Sequence, residues 1–126
     1  MMAYTIDRQE PITTVRFHAT PDIETLRQAI KEIDLLPASY GEIWDIRKTS
    51  LTYGASEMQA LGNFAKNKKY RPVKTAILTR NDISYPIMRM YSAHRAEPGM
   101  DLCIFGEEEK AIAWILSPPT HSNGSE

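Results

Sequence analysis

The chain has 126 residues, of which 42% are hydrophobic and 25% are charged, a composition typical of one soluble globular domain. Its net charge of −1 removes the overall electrostatic basis for binding nucleic acid or an anionic membrane surface. A single cysteine, Cys103, excludes an intramolecular disulfide, and no Cys or His spacing is that of a zinc site. The N-terminal residues lack a signal-peptide core and no apolar run reaches the ~20 residues of a membrane span, so we expect a cytoplasmic protein without membrane insertion. We also expect no metal and no cofactor.

Two short runs of alternating polar and apolar residues open the chain, Tyr4–Glu10 and Ile12–His18. Pro11 lies between them, and because proline cannot donate to a sheet ladder, the pattern predicts a hairpin at the edge of a sheet. A helix follows, with Thr20 as its predicted N-cap and Pro21 at its first helical position. The apolar residues of this helix recur at helical spacing and form one core-facing stripe: Ile23, Leu26, Ile30 and Ile33.

The stretch Gly41–Ser50 contains the apolar run Ile43–Ile46, which predicts a central strand buried on both faces. One acid, Asp45, lies inside the run, and a basic, hydroxyl-rich segment, Arg47–Ser50, follows it. A second continuous apolar run, Val73–Thr79, predicts another interior strand. Uninterrupted runs of this kind are typical of parallel strands that are covered on both sides.

Ser56 and Gln59 have the S-x-x-Q spacing of a capping box, which predicts that a second helix begins at Ser56. Three further elements are predicted: a helix over Ser84–Ala96, a strand over Asp101–Phe105 and a helix over Glu107–Leu116. The element order predicts one α/β domain over residues 1–116, with a mostly parallel sheet of about five strands, an antiparallel N-terminal strand and four helices on the faces of the sheet. Residues 117–126 have no periodicity and are expected to form a disordered tail.

Six stretches of the chain form a recognisable series: TTVRFHATPDIETLRQAI, IWDIR, SEMQALGNFAKNKKYR, KTAILT, YPIMRMY and DLCIFGEEEKAIAWIL. In this order they resemble the SpoIIAA-like (STAS-type) proteins, small bacterial domains that are also likened to lipid-binding CRAL-TRIO domains. The resemblance covers about Ile12 to Leu116 and rests on the element order, on Trp44-Asp45 at the end of a strand, on Arg89-Met90-Tyr91 in the third helix, and on Phe105 before an acidic helix with Ala and Trp. It implies an α/β sheet and a regulatory protein without catalytic activity.

Anti-sigma-factor antagonists of the STAS type carry a D-S-S-G-like turn whose serine is phosphorylated at the start of a helix. The corresponding stretch here is Tyr53–Glu57 (YGASE), in which Ser56 alone matches that serine. Because its capping-box partner already gives Ser56 a structural role, we favour a helix cap over a phosphorylation switch, and both interpretations stay open.

A ligand site in such a sheet is expected at the carboxyl ends of the parallel strands, where the following helices begin. The candidate binding residues at that edge are Asp45, Arg47, Thr49, Ser56, Thr79 and Arg80. Asp45 is the most informative of them, because an acid within an apolar run must find a partner if it is buried. We interpret Asp45 first as a structural anchor that accepts backbone N–H bonds from the neighbouring loop. The alternative is that Asp45, with Arg47 or Arg80, orients a small polar or anionic ligand.

The sequence contains no evident pair of nucleophile and base, and Cys103 is expected to be buried in a strand and inert. We therefore expect no catalytic residues, and an enzyme built around Asp45 is the least favoured hypothesis. Two functions remain: a non-enzymatic regulatory or protein-interaction domain of the STAS type, and a small-molecule or lipid-binding module with a site near the carboxyl ends of the strands. Homodimer formation, through the free edge of the N-terminal hairpin or through an apolar helix face, is a further expectation.

Overall fold

A computed structural model describes residues 3–37, 39–49, 56, 59–60, 73–80 and 101–118 of the chain. The strands and helices whose two ends both lie in these ranges are β1 Tyr4–Gln9, β2 Ile12–Phe17, α1 Ile23–Asp34, β3 Gly41–Asp45, β4 Lys74–Leu78, β5 Asp101–Phe105 and α2 Glu108–Leu116. Ser56, Gln59 and Ala60 are helical as well. The predicted helix over Ser84–Ala96, most of the helix predicted from Ser56, and most of the predicted tail lie outside the described residues. Across the described part of the chain, no helix has the length and apolar content that a membrane crossing requires.

The five strands form one sheet in the order β1-β2-β3-β4-β5, so each strand lies beside its neighbour in the sequence. β1 pairs antiparallel with β2, and every later pair is parallel. The prediction of a mostly parallel sheet of about five strands with an antiparallel N-terminal strand is therefore confirmed. The last row of paired residues across the parallel strands is Arg16, Asp45, Leu78 and Phe105, and it marks the carboxyl-end edge of the sheet.

The two bounded helices cover opposite faces of this sheet. α1 packs Leu26, Ala29, Ile30 and Ile33 against a cluster that includes Val15, Phe17 and Ile77. α2 packs Ala111 and Ile115 against Ile43, Ala76 and Leu78 on the other face. Alternation along each strand assigns its residues to the two faces, because successive side chains point to opposite sides. The buried central strands follow from this double cover, and all five residues of β4 are buried.

The start of α1 differs from the prediction, which placed the N-cap at Thr20. The N-cap is Asp22, whose Oδ1 accepts a hydrogen bond of 2.8 Å from the backbone N of Thr25, so Pro21 precedes the cap and is not its first helical residue. This hydrogen bond also holds the pKa of Asp22 below its ordinary value. Thr20 and Asp22 are both favourable cap residues, and the helix begins where the side chain reaches an unpaired backbone N–H.

α2 approaches the sheet most closely at Gly41, the first residue of β3. A methyl group on Gly41 would overlap the buried side chain of Ile115. The absence of a side chain at this position therefore lets the carboxyl-terminal half of α2 lie directly on the strand. Its amino-terminal end consequently falls at the carboxyl-end edge of the sheet, next to the row that contains Arg16 and Asp45.

Candidate functional site

The carboxyl ends of β2 and β3 bring Arg16 next to Asp45, since the two residues are register partners in neighbouring parallel strands. The Asp45 side chain is only 5% exposed, and its Oδ2 accepts a hydrogen bond from Nη1 of Arg16. Arg47 donates to the same carboxylate from its backbone N (3.1 Å) and Nε (2.9 Å) to Oδ1, and from Nη2 (2.8 Å) to Oδ2. Each oxygen of Asp45 thus has two donors, and one of them is the backbone N–H that an anchoring role for Asp45 requires.

α2 adds a second carboxylate from its first turn, that of Glu108. Glu108 accepts hydrogen bonds from Nη1 and Nη2 of Arg16, both at 3.2 Å, and from Nη2 of Arg47 at 3.3 Å. Its side chain is 31% exposed, so it lies at the outer side of the arginines while Asp45 lies beneath them. We call the four residues Arg16, Asp45, Arg47 and Glu108 the carboxyl-edge cluster; its formal charges sum to zero.

Hydrogen bonds and charges inside this cluster shift the protonation equilibria of three members. Burial by itself raises the pKa of Asp45, but the hydrogen bonds from Arg47 and the charges of Arg47 and Arg16 outweigh it, and the pKa lies below its ordinary value. The hydrogen bond to Glu108 raises the pKa of Arg16, and the hydrogen bond to Asp45 raises the pKa of Arg47. Asp45 and both arginines therefore stay charged at neutral pH.

A cleft of about 390 Å³ lies beside the cluster. It is lined by Arg47, Glu107, Glu108, Glu109 and Ile112. A volume of this size falls within the range of small-molecule sites. One guanidinium group, one aliphatic side chain and three carboxylates thus share this space at the amino end of α2.

Two other predicted site residues are buried and hydrogen-bonded to nearby backbone. The Thr49 backbone N and Oγ1 both donate to the carbonyl oxygen of Ile46, at 3.0 and 2.8 Å, and close the turn after β3. Thr79 donates from its backbone N to the carbonyl oxygen of Phe105 at 3.0 Å and from Oγ1 to the carbonyl oxygen of Arg80 at 3.3 Å. These hydroxyl groups hold the backbone at the carboxyl ends of β3 and β4.

The remaining predicted site residues, Arg80 and Ser56, are both exposed. Arg80 follows the end of β4, and Ser56 belongs to a helical segment. The side chains of two predicted site residues, Asp45 and Arg47, contact each other directly.

Sequence reasoning missed Arg16 and Glu108 as members of the site. Arg16 alternates with Val15 and Phe17, which is also the pattern of a charged residue on a solvated strand face. Glu108 belongs to an acidic run whose charge is explained by the helix dipole alone. The signal that unites them is the strand order, because β2 must lie beside β3 before Arg16 can reach Asp45.

A second buried charge holds the other end of α2. Lys74 is 2% exposed, and its Nζ donates to the carbonyl oxygens of Trp114 (2.8 Å) and Ser117 (3.1 Å) and to Ser117 Oγ (3.1 Å). The same Nζ lies 5.1 Å from the centre of the Trp114 ring, a distance typical of a cation–π contact. A cation in this position satisfies carbonyl groups at the negative end of the helix dipole.

Cys103 is half-buried, which differs from the buried position expected for it. It lies on β5, the strand at the edge of the sheet, so less of its surface is covered than on β3 or β4. Burial and the nearby charge of Asp101 raise the pKa of its thiol, which is protonated at neutral pH. Within the described ranges, no group of three or more His, Cys, Asp and Glu side chains is arranged to hold a metal ion.

No protein-family model and no curated protein matches the chain.

Proposed function

We propose that the chain is a non-enzymatic regulatory domain of the SpoIIAA-like type that binds a protein partner at the carboxyl-end edge of its sheet. The observation that carries this proposal is the division of charge at that edge. Asp45 is buried and its hydrogen-bonding capacity is used to hold Arg47 and the following turn in place. Lys48 and Arg80 follow β3 and β4, Glu107 and Glu109 lie at the start of α2, and all four are exposed.

Exposed charges of both signs on a rigid base favour recognition of a complementary protein surface. Such charges contribute chiefly to association rate and to the rejection of wrong partners. The basic side chains follow β3 and β4, and the acidic side chains begin α2, so the two signs lie on different elements of the same edge. This separation gives the edge a direction that a partner can recognise.

Quantitative affinity capture tests the proposal, with the full chain as bait and mass spectrometry as readout. We expect a partner in stoichiometric amount, and a loss of at least about fivefold with Lys48→Glu or Arg80→Glu, because each variant reverses a charge on the proposed surface. Lys31→Glu is the matched control, since Lys31 is exposed in the last turn of α1, away from this edge. Capture that is equal for all variants, or the absence of any stoichiometric partner, contradicts the proposal.

A second function is favoured by the cleft beside Arg47, namely binding of a small molecule or lipid. Its volume of about 390 Å³ and its combination of a guanidinium group with the Ile112 side chain suit a ligand with one polar end. Native mass spectrometry of the purified protein is expected to show a bound species that is lost in Ile112→Trp, because the larger ring fills the cleft. An unbound mass in wild type, together with no amide shift of Arg47 in a fragment screen, counts against this function.

Two narrower predictions belong to the same proposals. Ser56 is exposed, so a kinase can reach its hydroxyl, and intact mass after kinase treatment measures whether it is modified. β1 is an edge strand of the sheet, and light scattering after size exclusion measures whether two chains associate. An Arg8→Pro variant, which removes a backbone donor that faces the free edge of β1 and not β2, is expected to reduce association if that edge is used.

A further inference from the structure

We infer that Arg16 and Arg47 together bind a phosphate group, which enters from the adjacent cleft and displaces Glu108 from the two guanidinium groups. The inference rests on the second proposed function, a ligand site at this edge of the sheet, and it names the chemical class of the ligand. The guanidinium group of arginine suits this role because its planar fork of donors fits the oxygens of a phosphate.

The two carboxylates of the carboxyl-edge cluster differ in how firmly they are held. The hydrogen bonds from Arg47 to Asp45 are 2.8 to 3.1 Å long, and this carboxylate is almost fully buried. The three hydrogen bonds to Glu108 are 3.2 to 3.3 Å long, and this carboxylate is partly exposed. Charge-assisted N–H···O bonds are normally about 2.7–2.9 Å long, so the contacts of Glu108 are the weaker ones. Asp45 therefore fixes the arginines in position, and Glu108 occupies a place that another anion can take.

The donors outnumber the oxygens that Glu108 offers. Oε1 accepts from Nη1 of Arg16 and from Nη2 of Arg47, while Oε2 accepts from Nη2 of Arg16 alone. Three donors thus share two oxygens, and a phosphate group with at least three accepting oxygens can give each donor its own. A phosphate monoester also carries about −1.5 to −2 charge at neutral pH, more than one carboxylate.

The charges around the cleft determine the affinity that this exchange can reach. When the Glu108 side chain moves aside, Arg16, Arg47 and Asp45 carry one net positive charge, and Arg47 lines the cleft. Glu107 and Glu109 also line the cleft and repel an anion. Glu108 is the carboxylate that a phosphate group must displace from the arginines, because Glu108 contacts both guanidinium groups in the absence of ligand.

The inference is tested by titrating inorganic phosphate into the full chain while the amide NMR signals are recorded. The ionic strength is held constant with chloride. In Glu108→Gln we expect affinity about tenfold higher than in wild type, a change that corresponds to about 1.4 kcal/mol, because the competing carboxylate is gone. Glu109→Gln is the matched control: it removes one charge from the same cleft without releasing the arginines, and we expect a gain below about threefold. Equal gains in phosphate affinity in the two variants, or chemical-shift changes that do not include the amides of Arg16 and Arg47, overturn the inference.

A further variant tests the role of the guanidinium fork. Arg16→Lys in the Glu108→Gln background keeps the charge but removes the two-pronged donor, and we expect the affinity to fall back about tenfold. Thermal melting of each variant confirms that it is folded. Retained tight binding in this double variant contradicts the proposed geometry.

Parallel titrations separate failure of this inference from failure of the ligand-site function. Neutral compounds that shift the amide signals of Arg47 and Ile112 in wild type, combined with no phosphate response in any variant, overturn the phosphate assignment and leave the ligand site in place. The absence of both responses removes both. Where phosphate does bind, tighter binding of a short-chain phosphatidic acid assigns a lipid headgroup, and equal binding assigns a free phosphate ester.

Discussion

α2 is fastened to the sheet by charge at both ends, but the two attachments differ in kind. At the amino end, Glu108 meets two arginines that also bind the buried Asp45, and the contact borders a cleft. At the carboxyl end, Lys74 is buried and donates to the backbone of the helix itself. A side-chain carboxylate can be replaced by another anion, whereas backbone carbonyl groups cannot leave without unwinding the helix. The contact at the amino end can therefore be replaced by another anion, whereas the contact at the carboxyl end persists as long as the helix is folded.

The largest effect is expected at the centre of the amino-end attachment. Asp45→Ala removes the buried partner of two arginines and the acceptor for the backbone N–H of Arg47, and we expect the free energy of unfolding to fall by about 3 kcal/mol. Urea denaturation measures it, with Asp7→Ala in the exposed face of β1 as the control. Unchanged stability would show that Asp45 is no anchor; a loss of ligand affinity without loss of stability would favour its alternative role in orienting a ligand.

The carboxyl-end attachment is expected to follow closely. Lys74→Met keeps the aliphatic stem but leaves the carbonyl oxygens of Trp114 and Ser117 without their charged donor, at a cost of about 2 kcal/mol. Lys110→Met is the control, since Lys110 is 71% exposed on the same helix and is expected to change stability little. Similar midpoints for the two variants in denaturant would mean that Lys74 does not hold the helix end.

A smaller effect is expected when the exchangeable contact alone is removed. Glu108→Gln takes away a partly exposed carboxylate while Asp45 still pairs with both arginines, so we expect a loss of about 0.5–1 kcal/mol. If the amino-end attachment is the exchangeable one, this loss of stability is clearly smaller than that of Lys74→Met. A loss as large as that of Asp45→Ala would mean that Glu108 is as essential as the buried acid.

The smallest effect is confined to acidic pH. The pKa of Asp45 is lowered in the folded chain, so its stabilising contribution is complete above its unfolded pKa of 3.8 and is lost as pH falls through the folded value. Denaturation series from pH 7 down to pH 3 are therefore expected to fall less steeply below about pH 4 for Asp45→Asn than for wild type. Asp22→Asn is a necessary companion, because the pKa of Asp22 is lowered as well. Parallel curves for Asp45→Asn and wild type would show that Asp45 does not titrate as proposed.

Patterns within single elements were sufficient to predict most of the described fold. The bounds of β5 were predicted to the residue, and those of β4 and α2 within one residue at each end. Continuous apolar runs indicated interior parallel strands, since a strand covered on both faces has no solvent side to mark with polar residues. The N-cap of α1 was placed wrongly because two adequate cap residues flank Pro21, and both satisfy the same local rule.

The site was predicted less completely, because its chemistry depends on contacts between distant segments. Asp45 was identified from its unusual place in an apolar run, and Arg47 from its position two residues later. Arg16 and Glu108 have ordinary local explanations, and only the strand order and the placement of α2 bring them to Asp45. The burial of Lys74 likewise depends on a contact between distant segments, since the carbonyl oxygen that accepts its hydrogen bond lies on α2.

The sequential strand order has a consequence for how the chain assembles as it is synthesised. Each strand pairs with the strand made before it, so the sheet can grow outward from the N-terminal hairpin, with register partners 27 to 33 residues apart in each parallel pair. The carboxyl-edge cluster requires a contact over a longer stretch of chain, because Arg16 and Glu108 are separated by 92 residues. Asp45 and Arg47 can reach Arg16 once β2 and β3 are paired, whereas Glu108 can reach the two arginines only after α2 has been synthesised.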